Sequence, residues 1–143
     1  MKGTLLVKNV KHLVTCDAND RLLDGVDVFV RDGVIEAIGH VEETAEDVID
    51  ASHMVMYPGL INTHHHLYQT FSRNLPQVQN MELFPWLKTL YEIWKRVDED
   101  VVYYSSLTGM GELLKTGCTT CLDHHYVFPK GAGGDLMGAQ FEA

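Results

Sequence analysis

In Pro58-Gly59-Leu60-Ile61-Asn62-Thr63-His64-His65-His66 a short apolar, β-prone run passes straight into three histidines. Successive side chains of a strand point to opposite faces, so His64 and His66 project together and His65 projects the other way. Two imidazoles on one face at the carboxyl end of a strand make half of a zinc-type site. Taken by itself the triplet also fits a polar loop or a tag-like run, and its flanks have to decide.

Downstream, residues 81–97 have helical spacing, with Leu83, Leu87, Leu90, Trp94 and Val97 on or near one face. Pro85 falls early enough for a first turn. A second helix is predicted over about 98–116, with Leu107, Met110, Leu113 and Leu114 inward. Asp98 or Asp100 would cap its start, and Gly117 stands at its end. Residues 118–123 read as another strand leading into His124-His125, and 135–143 as a helix start with Leu136, Met137 and Phe141 apolar. Strand, helices, strand, joined by long connections, is the grammar of a parallel α/β fold. Cys118 and Cys121 form a CxxC pattern, but a zinc ribbon needs a second pair. Their odd separation points the sulfurs to opposite faces of a strand, and both are expected to be buried small hydrophobes.

Upstream, β-prone runs at 4–7, 12–15, 26–30, 34–38, 48–50 and 54–56 are broken by tight turns. Asp32-Gly33 between two such runs predicts a hairpin, because glycine accepts the positive φ the turn requires. Asp24-Gly25 and Gly39 punctuate the same region. The chain therefore divides into a small, mostly antiparallel β unit over 1–57 and an α/β portion over 58–143.

With 143 residues, 45% hydrophobic and 22% charged, the composition is that of a soluble globular protein. A formal charge of −9 and the lack of clustered Lys and Arg speak against a nucleic-acid partner. Three cysteines make no disulfide framework, no basic stretch precedes an apolar N-terminal run, and no apolar window is long enough for a membrane span. A cytoplasmic location is the expectation.

The Pro-Gly entry, the apolar strand and the His64-any-His66 pair resemble the first metal motif of the amidohydrolase superfamily, where such a pair ends the first strand of a (β/α)8 barrel. The preceding β unit resembles the β-sandwich domain that these enzymes carry before the barrel. The resemblance narrows to the 8-oxoguanine deaminase and triazine hydrolase branch on three further stretches. These are the run from His66 to Pro76, Glu82-Leu83-Phe84-Pro85-Trp86-Leu87, and Gly117-Cys118-Thr119-Thr120 with Asp123-His124-His125-Tyr126-Val127-Phe128-Pro129.

The resemblance implies an α/β fold: an N-terminal β-sandwich portion, then the first strand-helix units of a (β/α)8 barrel. A barrel typically takes about 250 residues, so it is expected to be incomplete in this chain. It also implies one divalent metal ion held by His64 and His66, Zn2+ first and Fe2+ as the alternative, since imidazole suits several metals. The other ligands and the proton-transfer residues are expected beyond Ala143, so no catalytic residue is assigned within the chain.

Gln69 stands where guanine-type deaminases carry a glutamine that reads the purine edge, although its own chemistry fits an exposed loop equally well. Trp86 is either an aromatic wall against a flat heterocycle or a packing residue beside Leu83 and Leu90. His125 rather than His124 faces the pocket on the family pattern, while strand alternation leaves the two open. Arg73 reads as a surface arginine.

The implied activity is hydrolytic deamination of a purine-like heterocycle of the 8-oxoguanine type. Chlorohydrolase or alkylaminohydrolase chemistry on a triazine is the alternative, and an inactive truncated fragment the third reading. A small heterocyclic substrate is the expected partner, with a homo-oligomer at full length. The 143-residue chain alone is expected to lack turnover and to leave apolar faces uncovered.

Overall fold

Asp32 and Gly33 both take positive φ, 50° and 82°, and fold β2 (Leu22–Arg31) back on β3 (Val34–Gly39) as an antiparallel hairpin. The computed structural model describes residues 3–143, which fall into two compact units dividing between Pro58 and Gly59. In the first unit, β1 (Thr4–Val14) is one continuous strand where two short runs were expected, and it pairs antiparallel with β2. Leu6 lies opposite Phe29 and Val7 opposite Val28. Alternation sends these pairs to opposite faces, so Val7, Val10, Leu13, Val28 and Ala51 form one cluster, and Leu6, Phe29 and Val41 another.

A bulge gives β1 its continuity. Asn9, at φ 57°, sits in the register shift between Val7 and Val10. The buried carboxylate of Asp27 accepts the Asn9 N–H at 2.8 Å and the Val41 N–H at 3.4 Å. Asp24 and Gly25 do not form a turn; they lie inside β2, which accommodates the Gly25 φ of 63°. β4 (Asp47–Asp50) and β5 (Val55–Met56) pair with β1 in parallel, so the sheet is more mixed than expected. Among the described residues this unit is a single five-stranded sheet, not two sheets packed face to face.

In the second unit β6 (Leu60–His65) and β7 (Cys118–Asp123) pair in parallel. Parallel neighbours need a crossover. Here it comprises 3-10 turns at Leu67–Ser72 and Pro76–Val78, then α1 (Leu83–Trp94) and α2 (Glu99–Lys115). The Asp98 side chain caps α2 by accepting the Val101 N–H at 2.9 Å. Gly117, at φ 84°, follows its end. α3 (Leu136–Glu142) completes the unit, capped by Asp135. Tyr68, Leu90, Trp94, Val97 and Val102 lie together in the core.

Four features differ from what the sequence pattern suggests. The inward face of α2 is Val102, Ser105, Ser106 and Gly109, while Leu107 and Leu114 are 46% and 64% exposed. Small residues are buried because the 3-10 turn at 67–72 lies close: a Cβ on Gly109 would come within 2.9 Å of Leu67 Cδ2. Second, the apolar run of β6 is left in solvent, since Ile61 is 69% exposed and, among the described residues, β6 pairs with β7 alone. Third, Leu60 pairs with Cys118 but Ile61 with Thr120, so Thr119 is an extra residue in β7. Cys118 and Cys121, on either side of that bulge, both border a cavity of about 310 Å³ beside Met110 and Leu113. Cys118 is buried and Cys121 half-buried; burial pushes the Cys121 thiol up, with the Asp123 charge adding to it. Leu83, expected inward on α1, is exposed. No helix among the described residues is long and apolar enough to cross a membrane.

Candidate metal centre

Parallel pairing places the ends of β6 and β7 side by side, with His64 and His65 closing β6, His66 just past it, and His124 and His125 just past β7. The rings of His64 and His66 converge, with their Nε2 atoms 3.0 Å apart. A second register shift, between Asn62 and His65, lies immediately before this pair, and Asn62 Oδ1 accepts the His64 N–H at 2.9 Å. His65 turns away toward α2, where a Cβ on Gly109 would meet its Cε1 at 3.7 Å. Among the described residues its buried Nδ1 has no hydrogen-bond partner.

Contacts from β7 fix the orientation of His66. The His124 carbonyl accepts from His66 Nδ1 at 2.8 Å. A carbonyl can only accept, so Nδ1 carries the proton and the neutral ring keeps its lone pair on Nε2. This is how metal-bound imidazoles are commonly oriented by an outer partner. His124 N–H donates to the His65 carbonyl at 2.7 Å. The His124 ring stacks on His64 at 4.2 Å with an interplanar angle of 15°. The donor set therefore fits a divalent ion as far as two ligands go. Among the described residues there is no group of three or more His, Cys, Asp or Glu placed to share one.

Gln69 lies in the 3-10 turn that follows His66. Its Nε2 donates to the hydroxyls of Tyr68 at 3.0 Å and Tyr126 at 3.2 Å, which leaves Oε1 as the acceptor end of the amide. The Tyr126 ring meets His66 edge-on at 5.4 Å. Burial raises the Tyr68 phenol well above its ordinary value, and the Tyr126 hydroxyl adds to this. Ser72 ties the turn to the core: Trp94 Nε1 donates to Ser72 Oγ at 3.0 Å, and Ser72 Oγ donates to the Gln69 carbonyl at 2.9 Å.

Trp86 packs edge-on against Trp94 at 5.8 Å. It also lines a cleft of about 530 Å³ with Gln69, Ser72, Arg73 and Leu90, so it packs on Trp94 and borders this cleft at once. Arg73 is committed to protein partners: it donates to both carboxylate oxygens of Glu112, at 2.8 and 3.0 Å, and to the Thr70 carbonyl at 3.1 Å. His125 packs on Tyr68 at 4.9 Å and Phe128 at 5.0 Å, and its Nε2 donates to the Val127 carbonyl at 2.9 Å. The histidine beside the His64–His66 pair is His124. Asp123, Tyr126 and the His124 carbonyl were not singled out from the sequence. Their place at the carboxyl end of the second parallel strand was the available signal.

The chain is 39% identical to hydroxydechloroatrazine ethylaminohydrolase of Pseudomonas sp. (strain ADP), a match covering 98% of this chain and 32% of that protein. It is 46% identical to 8-oxoguanine deaminase of Pseudomonas aeruginosa over 73% of this chain and 24% of that one. Among solved structures, zinc-complexed atrazine chlorohydrolase TrzN from Arthrobacter aurescens TC1 superimposes with a TM-score of 0.87 at 27% identity. That match covers 96% of this chain and 32% of TrzN. The chain thus spans about a third of the length of such relatives. The profile of the amidohydrolase family matches residues 55–143, and the chain belongs to that family.

Proposed function

We propose that this chain supplies the first two metal ligands, His64 and His66, and one edge of the ring pocket of an enzyme that deaminates a purine-like heterocycle of the 8-oxoguanine type. The observation that carries this is the convergence of the two Nε2 atoms at 3.0 Å while the His124 carbonyl holds the opposite nitrogen of His66. The zinc in the TrzN structure and the 46% identity to an 8-oxoguanine deaminase support it. A bound divalent ion lowers the pKa of its water to about 7 and so makes hydroxide available at neutral pH. The residues of this chain bind and orient. His64 and His66 turn their Nε2 atoms to one point, Gln69 offers Oε1 to a ring N–H, and Trp86 gives the flat substrate an apolar wall. The net change is addition of water at the ring carbon bearing the amino group and departure of ammonia. Alkylamine release from a hydroxylated triazine is the second reading, favoured by the 39% identity to an ethylaminohydrolase along 98% of the chain.

The test uses protein made from the native gene and loaded with Zn2+, assayed for ammonia from 8-oxoguanine and for alkylamine from triazines. We expect 8-oxoguanine turnover in the parent. His64→Ala and His66→Ala should lose more than about 100-fold in metal affinity, beyond the usual cost of disturbing an outer partner. A zinc-loaded parent that turns over neither ring, or alanine variants that keep their metal, would overturn the proposal.

A further inference from the structure

The parallel pairing of β6 with β7 brings beside the metal pair a carboxylate that has no part in the chemistry above. Asp123, the last residue of β7, uses both of its oxygens: Oδ1 accepts the Leu67 N–H at 2.7 Å and Oδ2 accepts from Gln140 Nε2 at 2.8 Å. The Leu67 N–H belongs to the peptide that leaves His66. Beside it, His124 N–H reaches the His65 carbonyl at 2.7 Å and His66 Nδ1 reaches the His124 carbonyl at 2.8 Å. Three hydrogen bonds therefore hold residues 65–67 against 123–124, on both sides of His66.

Of the groups that residues 123–124 contribute, the Asp123 carboxylate is the one that belongs to a side chain. The other two bonds need only the backbone of His124 on that side, but they need residue 66 held at the right distance. If the Leu67 amide swings free, the turn at 67–72 leaves β6 in another direction. His66 Nδ1 then loses the His124 carbonyl, and Nε2 no longer converges on its partner. Gln140, from α3, orients the carboxylate by occupying the second oxygen.

We infer that Asp123 is a positioning residue of the His64–His66 pair, acting through the Leu67 amide to keep His66 protonated on Nδ1 with Nε2 facing the metal position. The inference rests on the metal reading of the pair given above. Outer partners of metal-binding histidines are commonly worth 10–100-fold in metal affinity, so about that loss is expected here. The chemistry asks for an acceptor and not for a charge. Asn keeps a carbonyl oxygen for the Leu67 N–H, and the Gln140 amide can turn over to meet the Asn amide.

The experiment titrates Co2+ into the chain and into Asp123→Ala and Asp123→Asn, following visible absorption and checking each fold by circular dichroism. Affinity 10–100-fold weaker in Asp123→Ala, with most of it recovered in Asp123→Asn, is the expected result. Unchanged affinity in Asp123→Ala overturns the inference, and so does an Asp123→Asn variant as weak as the alanine one. A parent that takes up no Co2+ overturns the metal reading itself, a result distinguishable from parent and variant binding equally. Should Asp123→Ala not fold, the 15N shifts of the His66 ring in the metal-free parent, in mildly alkaline buffer, decide. The Nδ1–H tautomer is expected; the Nε2–H tautomer overturns the brace.

Discussion

Asp27 shows what one side chain does for a strand. It is 6% exposed and answers two backbone donors, Asn9 in the bulge of β1 and Val41 just past β3. Leaving buried donors unsatisfied costs about 1–3 kcal/mol, so Asp27→Ala should lower the urea-derived stability by that amount. A loss below half of it would mean that water replaces the carboxylate. Asp17 acts on a different coordinate. The Arg21 guanidinium beside it holds its carboxyl at about 2 instead of 3.8. The folded form is then the weaker binder of protons, so the contribution is complete above the ordinary value and disappears as pH falls from there through about 2. Asp17→Asn should flatten the urea midpoint against pH in that acid window and leave it unchanged near neutrality. Superimposable acid limbs would contradict the assignment.

At the scale of elements, the close approach of α2 and the turn at 67–72 is decided by one glycine. Gly109→Ala would press a methyl to 2.9 Å from Leu67 Cδ2 and 3.0 Å from Thr70 Oγ1. Overpacking of this kind costs about 1–3 kcal/mol, which outweighs the roughly 1 kcal/mol that Ala gains over Gly in a helix. Gly111, two residues on, has open space around its Cα. Gly111→Ala should therefore raise the melting temperature and Gly109→Ala lower it, and the pair tested together separates packing from propensity.

The same helix marks the boundary of what could be read before the structure. Asp98 and Gly117 announced its ends because capping is local chemistry, and Asp32-Gly33 announced its hairpin for the same reason. The parity of His64 and His66 was legible from the two-residue period of a strand. The buried face of α2 was not, because leucines mark a helix face by hydrophobicity while this interface selects for small volume. Asp123 was equally hidden: its partner, Leu67, lies 56 residues away, and only the pairing of β6 with β7 brings them together. The bulge at Thr119 was likewise not legible from the CxxC spacing, because it is set by the register of β7 on β6.

For the molecule as a whole, the notable quantity is apolar surface left in solvent. Leu60, Ile61 and Leu122 on the paired strands, Leu107 and Leu114 on α2, and Phe141 on α3 are all exposed. Contiguous patches of this character are associated with binding surfaces or with self-association. The chain at rising concentration should therefore show an increasing weight-average mass in sedimentation velocity and should bind a hydrophobic dye. Ile61→Lys with Leu122→Lys should reduce both. A monomer at every concentration, with no dye uptake, would mean that these faces are innocuous.

The hydrogen bond between His66 and the His124 carbonyl closes a loop of 58 residues, and that separation sets a schedule. Translation proceeds at about 5–20 residues per second, so the ribosome delivers His66 roughly 3–12 s before its acceptor exists. On the metal reading proposed above, the ring orientation that presents Nε2 exists only once α1 and α2 have been made and His124 has joined the end of β6.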